Sequence, residues 1–239
     1  MEAIILAGGL GTRLQPMVPD LPKPLAPIRG RPFLEYLLNY WEAQGIKHFI
    51  LSVGYKHNLI LEYFGQKYKS ADVSYSVEPK PLGTGGGLLL SVEKLESHEP
   101  FLALNGDTFF AVKKNDLLKH HLESEADMTL SLVEVSENNR FGRITQNEEG
   151  WITSIESTSH GSKNFLVNGG VYILAQNLLK TFKNRNSTNF SLEDELLPEL
   201  FKDKKRVAGF LSKTTFIDIG VPQDYIRAAK ILSQYSNTF

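Results

Sequence analysis

Apolar residues along the chain fall into short runs that alternate with amphipathic stretches. Ala3–Leu6 is an apolar run that ends near Gly8-Gly9, the pattern of a buried strand feeding a tight turn. Between Pro32 and Gln44, Phe33, Leu34, Leu37, Leu38 and Trp41 recur at helical spacing and Gly45 follows as a stop, so the spacing predicts a helix with that stripe in the core. Phe49–Val53, Val73–Val77, Phe101–Leu104 and Met128–Val135 read as further strands. Asn58–Phe64, Gly85–Leu95 and Leu117–Glu123 read as the helices between them. Strand, helix, strand at this spacing implies βαβ units, a parallel sheet and a layered α/β fold.

After residue 135 the pattern changes. Gly142–Thr145, Trp151–Ile155 and Phe165–Leu174 are strand-like runs separated by polar turns, and they predict a mixed or antiparallel extension of the sheet. Ser191 followed by Asp194 has the spacing of a capping box, which predicts a helix over Ser191–Phe201. Val207–Phe210 and Thr215–Ile217 read as strands, and Gln223–Tyr235 as a closing helix. The charged run Lys202–Arg206 fits a solvated helix end and turn better than a binding patch.

Composition narrows the function classes. The chain has 239 residues, 26 Lys+Arg against 27 Asp+Glu, and no Cys. Balanced charge argues against a dedicated nucleic-acid binder. The missing cysteines exclude disulfides, thiolate metal sites and a cysteine nucleophile, and they fit a reducing compartment. The N-terminal segment lacks the basic start of a secretion signal, and no apolar run reaches the roughly 18 residues of a membrane span, so a cytoplasmic protein with no membrane partner is expected. The six histidines show no metal-ligand spacing and are expected to be surface or satisfied structural residues.

The most informative segment is Leu6-Ala7-Gly8-Gly9-Leu10-Gly11-Thr12-Arg13-Leu14. Three glycines in four positions after a strand let backbone amides approach an anion. Position 14 is Leu, so the dinucleotide fingerprint fails, and Arg13 stands where a P-loop would need Gly-Lys-Ser/Thr. This is a phosphate-type loop of another kind with an arginine inside it. Downstream, Pro22-Lys23-Pro24-Leu25 holds a lysine in a restrained segment, as a positioned charge.

These two motifs together resemble the signature of the sugar-1-phosphate nucleotidylyltransferases. Glu78-Pro79-Lys80-Pro81-Leu82-Gly83-Thr84-Gly85-Gly86 is similar to that family's nucleobase-contacting turn. Leu104-Asn105-Gly106-Asp107 is similar to its metal-binding strand end, and Asn168-Gly169-Gly170-Val171-Tyr172 to its sugar-binding strand. The resemblance runs from Met1 to the closing helix. It implies a Rossmann-like layered α/β nucleotidyltransferase fold with a mixed sheet. One domain of 1–239 is expected, with a nucleotide-binding part over 1–135 and a sugar-binding and closing part over 136–239. Within the family, Asn105–Phe110 and Arg140-Phe141-Gly142-Arg143-Ile144 are similar to guanylyltransferases acting on D-glycero-α-D-manno-heptose 1-phosphate. Small uridylyltransferases share much of this, and thymidylyl or cytidylyl transfer to a hexose-type phosphate is the alternative.

The reaction implied is attack by a sugar 1-phosphate on the α-phosphorus of an NTP, GTP being favoured, with release of pyrophosphate. The NDP-sugar would feed surface-polysaccharide synthesis. The nucleophile is already an anion, so positioning and charge neutralisation carry the catalysis. By resemblance, Arg13 and Lys23 are the catalytic cations. The resemblance implies that Leu6, Gly8, Gly9, Gly11, Thr12, Arg13, Glu78, Gly83, Thr84 and Asp107 hold the nucleotide, with Arg13 neutralising the triphosphate and the leaving pyrophosphate and Gly83 letting the base approach the backbone. Asp107 and Asp218 hold Mg²⁺. Phe141, Gly142, Glu156, Asn168 and Gly169 form the sugar pocket. Where many members of the family read Glu-Lys-Pro, this chain reads Glu156-Ser157-Thr158, so Lys163 is expected to replace the missing lysine, with Arg143 as the competing candidate. A non-catalytic nucleotide-sugar sensor is the rival of another class. Retention of Arg13, Lys23, Asp107 and Asp218 together argues against it. Self-association is left open.

Overall fold

A computed structural model describes residues 1–136, 141–156, 164–176, 178 and 188–235. In chain order the first half runs β1 (Ala3–Ala7), β2 (Pro27–Ile28), β3 (Arg31–Pro32), α1 (Phe33–Glu42), β4 (His48–Val53), α2 (His57–Phe64), β5 (Lys67–Tyr68), β6 (Ala71–Val77), α3 (Gly83–Val92) and β7 (Phe101–Asn105). There follow β8 (Thr108–Phe110), α4 (Lys114–Glu123), β9 (Met128–Val135), β10 (Arg143–Gln146), β11 (Ile152–Glu156) and β12 (Phe165–Leu174). The chain closes with α5 (Leu197–Lys202), β13 (Val207–Leu211), β14 (Phe216–Asp218) and α6 (Pro222–Ile231). No helix among the described residues is long and apolar enough to cross a membrane.

The main sheet has the path β11-β10-β12-β7-β1-β4-β6-β5, and β9 pairs β12 and β13 beside it. β1 lies parallel to both β4 and β7, and β4 is parallel to β6. β12 runs antiparallel to β7 and β9, as β10 does to β11. The expected parallel core with an antiparallel extension is therefore present. The chain leaves β1 for β4 on one side and returns to β7 on the other. That reversal makes the carboxyl ends of β1 and β7 a topological switch point, the crevice where open α/β sheets bind ligands.

Alternation along the strands divides the core in two. Ala3, Ile5 and Ala7 face the same side as Phe33, Leu37 and Trp41 of α1, with Leu117 and Ala228. Ile4, Ile50 and Ala103 face the other side, with Leu88 of α3 and Leu197 and Leu200 of α5. Period 2 in the strands and period 3.6 in the helices thus produce three layers. The segment expected as one helix from Ser191 begins with π-helical turns over Leu192–Leu196 before α5. Its capping box is real: Ser191 Oγ accepts from the Asp194 amide at 3.0 Å, and the Ser191 amide donates to Glu195 Oε1 at 3.1 Å. The run Lys202–Arg206 is a largely exposed helix end and turn.

Two histidines, His48 and His121, are buried and hydrogen-bonded, whereas the half-buried His120 keeps its Nε2 away from water without a hydrogen-bond partner among the described residues, against the expectation. His121 Nδ1 lies 2.9 Å from Thr129 Oγ1, and burial lowers its pKa to about 4. His48 bridges Ser74 Oγ at 2.7 Å and Glu2 Oε1 at 2.6 Å. Glu2 also accepts from the amides of Ser97, at 2.8 Å, and Glu96, so one carboxylate ties β1, β4 and the segment before β7. Burial works to raise the Glu2 carboxyl. The amide of Ser97, the His48 ring and the amide of Glu96 outweigh it and hold the group below its ordinary 4.5. The unfolded chain then takes up this proton before the folded one does, so the stabilisation is complete above pH 4.5 and is lost as the pH falls toward the folded value. Glu2→Gln should cost about 2 kcal/mol in urea unfolding at pH 7. It should also flatten the acid limb of the stability profile. An unchanged acid limb would show that Glu2 does not set it.

Candidate active site

Two clefts open at the switch point. The first, of about 480 Å³, is walled by the end of β1 and the loop after it: Leu6, Gly8, Gly9, Gly11 and Thr12 all line it. Lys23 and Asp107 form another wall, and Glu78, Gly83 and Thr84 a third. Every residue expected to hold the nucleotide is there except Arg13. The second cleft, of about 610 Å³, is lined by Phe141, Gly142, Glu156 and Asn168, with Asp218 and the exposed Arg13. Asn105 and Asp107 line both.

Lys23 begins a 3₁₀ turn, Lys23–Leu25, whose N-cap is the extended Pro22. The prolines fix the turn, and the side chain, only 11% exposed, reaches Asp107 Oδ2 at 2.5 Å. Burial would raise the Asp107 carboxyl. The Lys23 ammonium and the hydrogen bonds from Lys23, Thr108 and its own amide hold it below the usual carboxylate range. The Thr108 hydroxyl lies 3.2 Å from Asp107 Oδ1 and 3.3 Å from Asp218 Oδ2. What brings the two acids together is a ribbon. β14 pairs β8 antiparallel with Asp218 opposite Thr108, and the Ile219 amide donates to the Asp107 carbonyl at 2.9 Å.

This donor set suits a hard divalent cation. Thr108 has one hydroxyl proton and stands between two carboxylates, so it can donate fully to only one of them. Asn105 Oδ1 is buried at the meeting point of the clefts without a partner among the described residues. Two carboxylates with neighbouring oxygens, and room for phosphate, match what Mg²⁺ takes.

Several of the glycines are required by packing alone. Gly83 has φ +70°, and a Cβ there would stand 2.5 Å from the Phe190 carbonyl oxygen. Gly83 is therefore demanded by the chain itself, before any base arrives. A Cβ on Gly8 would overlap the Glu78 carboxylate. That carboxyl is raised by burial, against hydrogen bonds from the Leu82 amide at 3.0 Å and Ser52. On β12 the register against β9 slips between Asn168 and Tyr172. This bulge carries Gly170 at φ +70°, and Asn168 Oδ1 accepts from the Gly170 amide at 3.0 Å. It turns Asn168 into the second cleft. Gly169, expected in the sugar pocket, does not line that cleft. The Phe110 ring packs where its side chain would be.

Lys163, with Ser157 and Thr158, lies outside the described residues. Arg143 opens β10 opposite Glu156 and does not line either cleft. The sequence reading missed Asn105, Thr108 and Glu193. The first two stand inside or beside the quoted Asn-Gly-Asp motif, which could have pointed to them. Glu193 gave no signal, because it sits in a segment legible only as a capped helix.

Residues 2–234 match the model of the Nucleotidyl transferase family. The chain belongs to this family. This nucleotidyl transferase is 42% identical over 235 residues to the D-glycero-alpha-D-manno-heptose 1-phosphate guanylyltransferase of Aneurinibacillus thermoaerophilus, across 98% of this chain and 100% of that one. It is 40% identical to the protein of the same name from Campylobacter jejuni, across 94% and 97%. Among solved structures it is similar to HddC from Yersinia pseudotuberculosis complexed with GMP-PN, at TM-score 0.84 and 33% identity, covering 96% of this chain and 98% of that one. The Rossmann-like mixed α/β fold expected from the sequence is that of these relatives, and the chain is a nucleotidyltransferase.

Gly83→Ala should lower the unfolding free energy by at least about 1 kcal/mol, through strain at positive φ and the contact with Phe190. Denaturant titration measures it. Stability equal to the parent would mean that Gly83 is kept only for the ligand.

Proposed function

We propose that the protein transfers a guanylyl group from GTP to D-glycero-α-D-manno-heptose 1-phosphate, giving GDP-heptose and pyrophosphate. The observation that carries the reading is the junction at Asp107, where a cleft walled by the glycine loop meets a second cleft holding Arg13, Glu156 and Asn168. Two relatives that share 40–42% identity with the chain over nearly its whole length bear that name, which supports the choice of substrates. Glu78 lines the first cleft with a carboxylate, and the edge of guanine offers N–H donors to such an acceptor.

An oxygen of the sugar phosphate attacks the α-phosphorus and forms the new P–O bond. The bond to the β-phosphate oxygen breaks, and pyrophosphate leaves with its electron pair. The nucleophile carries its charge already, so no group has to remove a proton. The task is to bring polyanions together, and that falls to cations and backbone dipoles. The loop amides of Gly8 to Thr12 receive the triphosphate. Lys23, already on Asp107, bridges the phosphates of the two substrates. Arg13, on the second cleft, faces the charge that develops at the transferred group. Asp107 and Asp218 would hold Mg²⁺, which when bound supplies positive charge to the phosphates.

A matrix of four NTPs against several sugar 1-phosphates, read by pyrophosphate release, tests the substrates. GTP with the heptose phosphate should give the highest kcat/KM, and a better pair elsewhere in the matrix would replace this assignment. Asp107→Asn should lower turnover at least about a hundredfold. The fold should be kept. Near-normal turnover at saturating Mg²⁺ would remove Asp107 from the metal. Arg13→Ala should lower kcat more than it raises the KM for GTP, and the reverse pattern would reduce Arg13 to a binding contact.

A further inference from the structure

Two hydroxyls aim their protons at the Glu193 carboxylate. Tyr172, fully buried on β12, donates to Oε1 at 3.0 Å. Thr84, in the first turn of α3, donates to Oε2 at 3.1 Å. Each hydroxyl is oriented from behind, since Asn168 Nδ2 donates to Tyr172 at 2.6 Å and the Leu192 amide donates to Thr84 at 2.8 Å. A hydroxyl that accepts an N–H has its own proton left to give, so both chains run toward the acid. Burial first, and Glu193 second, push the Tyr172 phenol well above its ordinary value, which keeps it a donor.

A carboxylate offers about four lone-pair sites, and these two hydroxyls fill two of them. Glu193 lines the second cleft, as Asn168 and Arg13 do. The cleft thus carries a cation suited to a phosphate and an acid held rigidly with acceptor capacity to spare. A second phosphate would be repelled by that acid, while neutral hydroxyl donors match it.

We propose that Glu193 determines sugar specificity by accepting hydrogen bonds from hydroxyls of the sugar 1-phosphate. The inference rests on the reading that the second cleft takes the sugar. It adds a residue outside the motifs that carry the resemblance, and it gives Asn168 a second task, to orient the Tyr172 hydroxyl. A site built to bond a hydroxyl rejects the analogue that lacks it, because the acceptor's remaining lone pairs, once covered by the ligand, have lost water without gaining a donor.

The test compares the parent chain with Glu193→Gln on the preferred sugar 1-phosphate and on analogues each lacking one hydroxyl. The parent should discriminate against at least one deoxy analogue by about tenfold or more in kcat/KM. Glu193→Gln should raise the sugar-phosphate KM about tenfold, leave the NTP KM within about twofold, and abolish that discrimination. Tyr172→Phe, which leaves the carboxylate in place, should keep most of it. A purely structural tie would move both KM values together and leave the deoxy ratio unchanged, which overturns the proposal. If Glu193→Gln does not fold, Glu193→Asp withdraws the same charge by one methylene, and an unchanged ratio there is equally fatal. No pyrophosphate from the parent with any substrate pair overturns the functional reading and this proposal with it. Turnover with an unchanged ratio overturns this proposal alone.

Discussion

The Lys23–Asp107 ion pair is the contact around which the site is assembled. Its partners stand 84 residues apart, with the Lys23 side chain 11% exposed and that of Asp107 36%. A fully exposed pair would be worth about 0–1 kcal/mol, but emptying the Asp107 position of its oxygens here strands an ammonium that water reaches poorly. The pair therefore locks the proline-flanked turn against the end of β7. It also sets the charge state of the junction before any substrate arrives, with Asp107 ionised by the ammonium beside it.

Around that pair, local irregularities aim the remaining groups. The β8–β14 ribbon brings Asp218 level with Thr108. The bulge in β12 turns Asn168 toward the second cleft, and the positive φ of Gly83 lets the turn before α3 pack under Phe190. Regular strands could not do this, because a pleated strand sends alternate side chains to opposite faces and carries them into the core. The exceptions to regularity lie where the sheet ends and ligands begin.

Much of this was legible in the sequence. Ala3–Leu6 and Phe49–Val53 announced buried parallel strands, and the stripe from Phe33 to Trp41 announced a helix packed on them, because periodicity and burial are the same fact seen twice. The glycine loop, Lys23 and Asp107 were legible because anion binding needs particular residue types at close spacing. Thr108–Phe110 as a strand was not, since three residues after a glycine-containing turn show no period. Nor was the reason for Gly83: the atom it avoids, the Phe190 carbonyl oxygen, lies more than a hundred positions away. Arg13 was expected at the triphosphate from the family resemblance, yet it lines the other cleft. Sequence order fixes a residue's neighbours along the chain and leaves open which way a long side chain reaches.

Among the described residues the two clefts share only Asn105 and Asp107, and their walls come from different stretches of chain. The first is built from residues up to 107 with Asn189, and the second from residues 105 onward with Arg13. This division is a kind of modularity. Changes in the later segments can retune which acceptor molecule is received while the donor side and the junction stay intact. A chimaera joined just after Asp107 would exchange most of the second wall and keep Arg13, while replacing Asn189 of the first. A lineage could drift among carbohydrate partners by the same route, provided that the contacts of Gly83 with Phe190 and of Thr84 with Glu193 are kept.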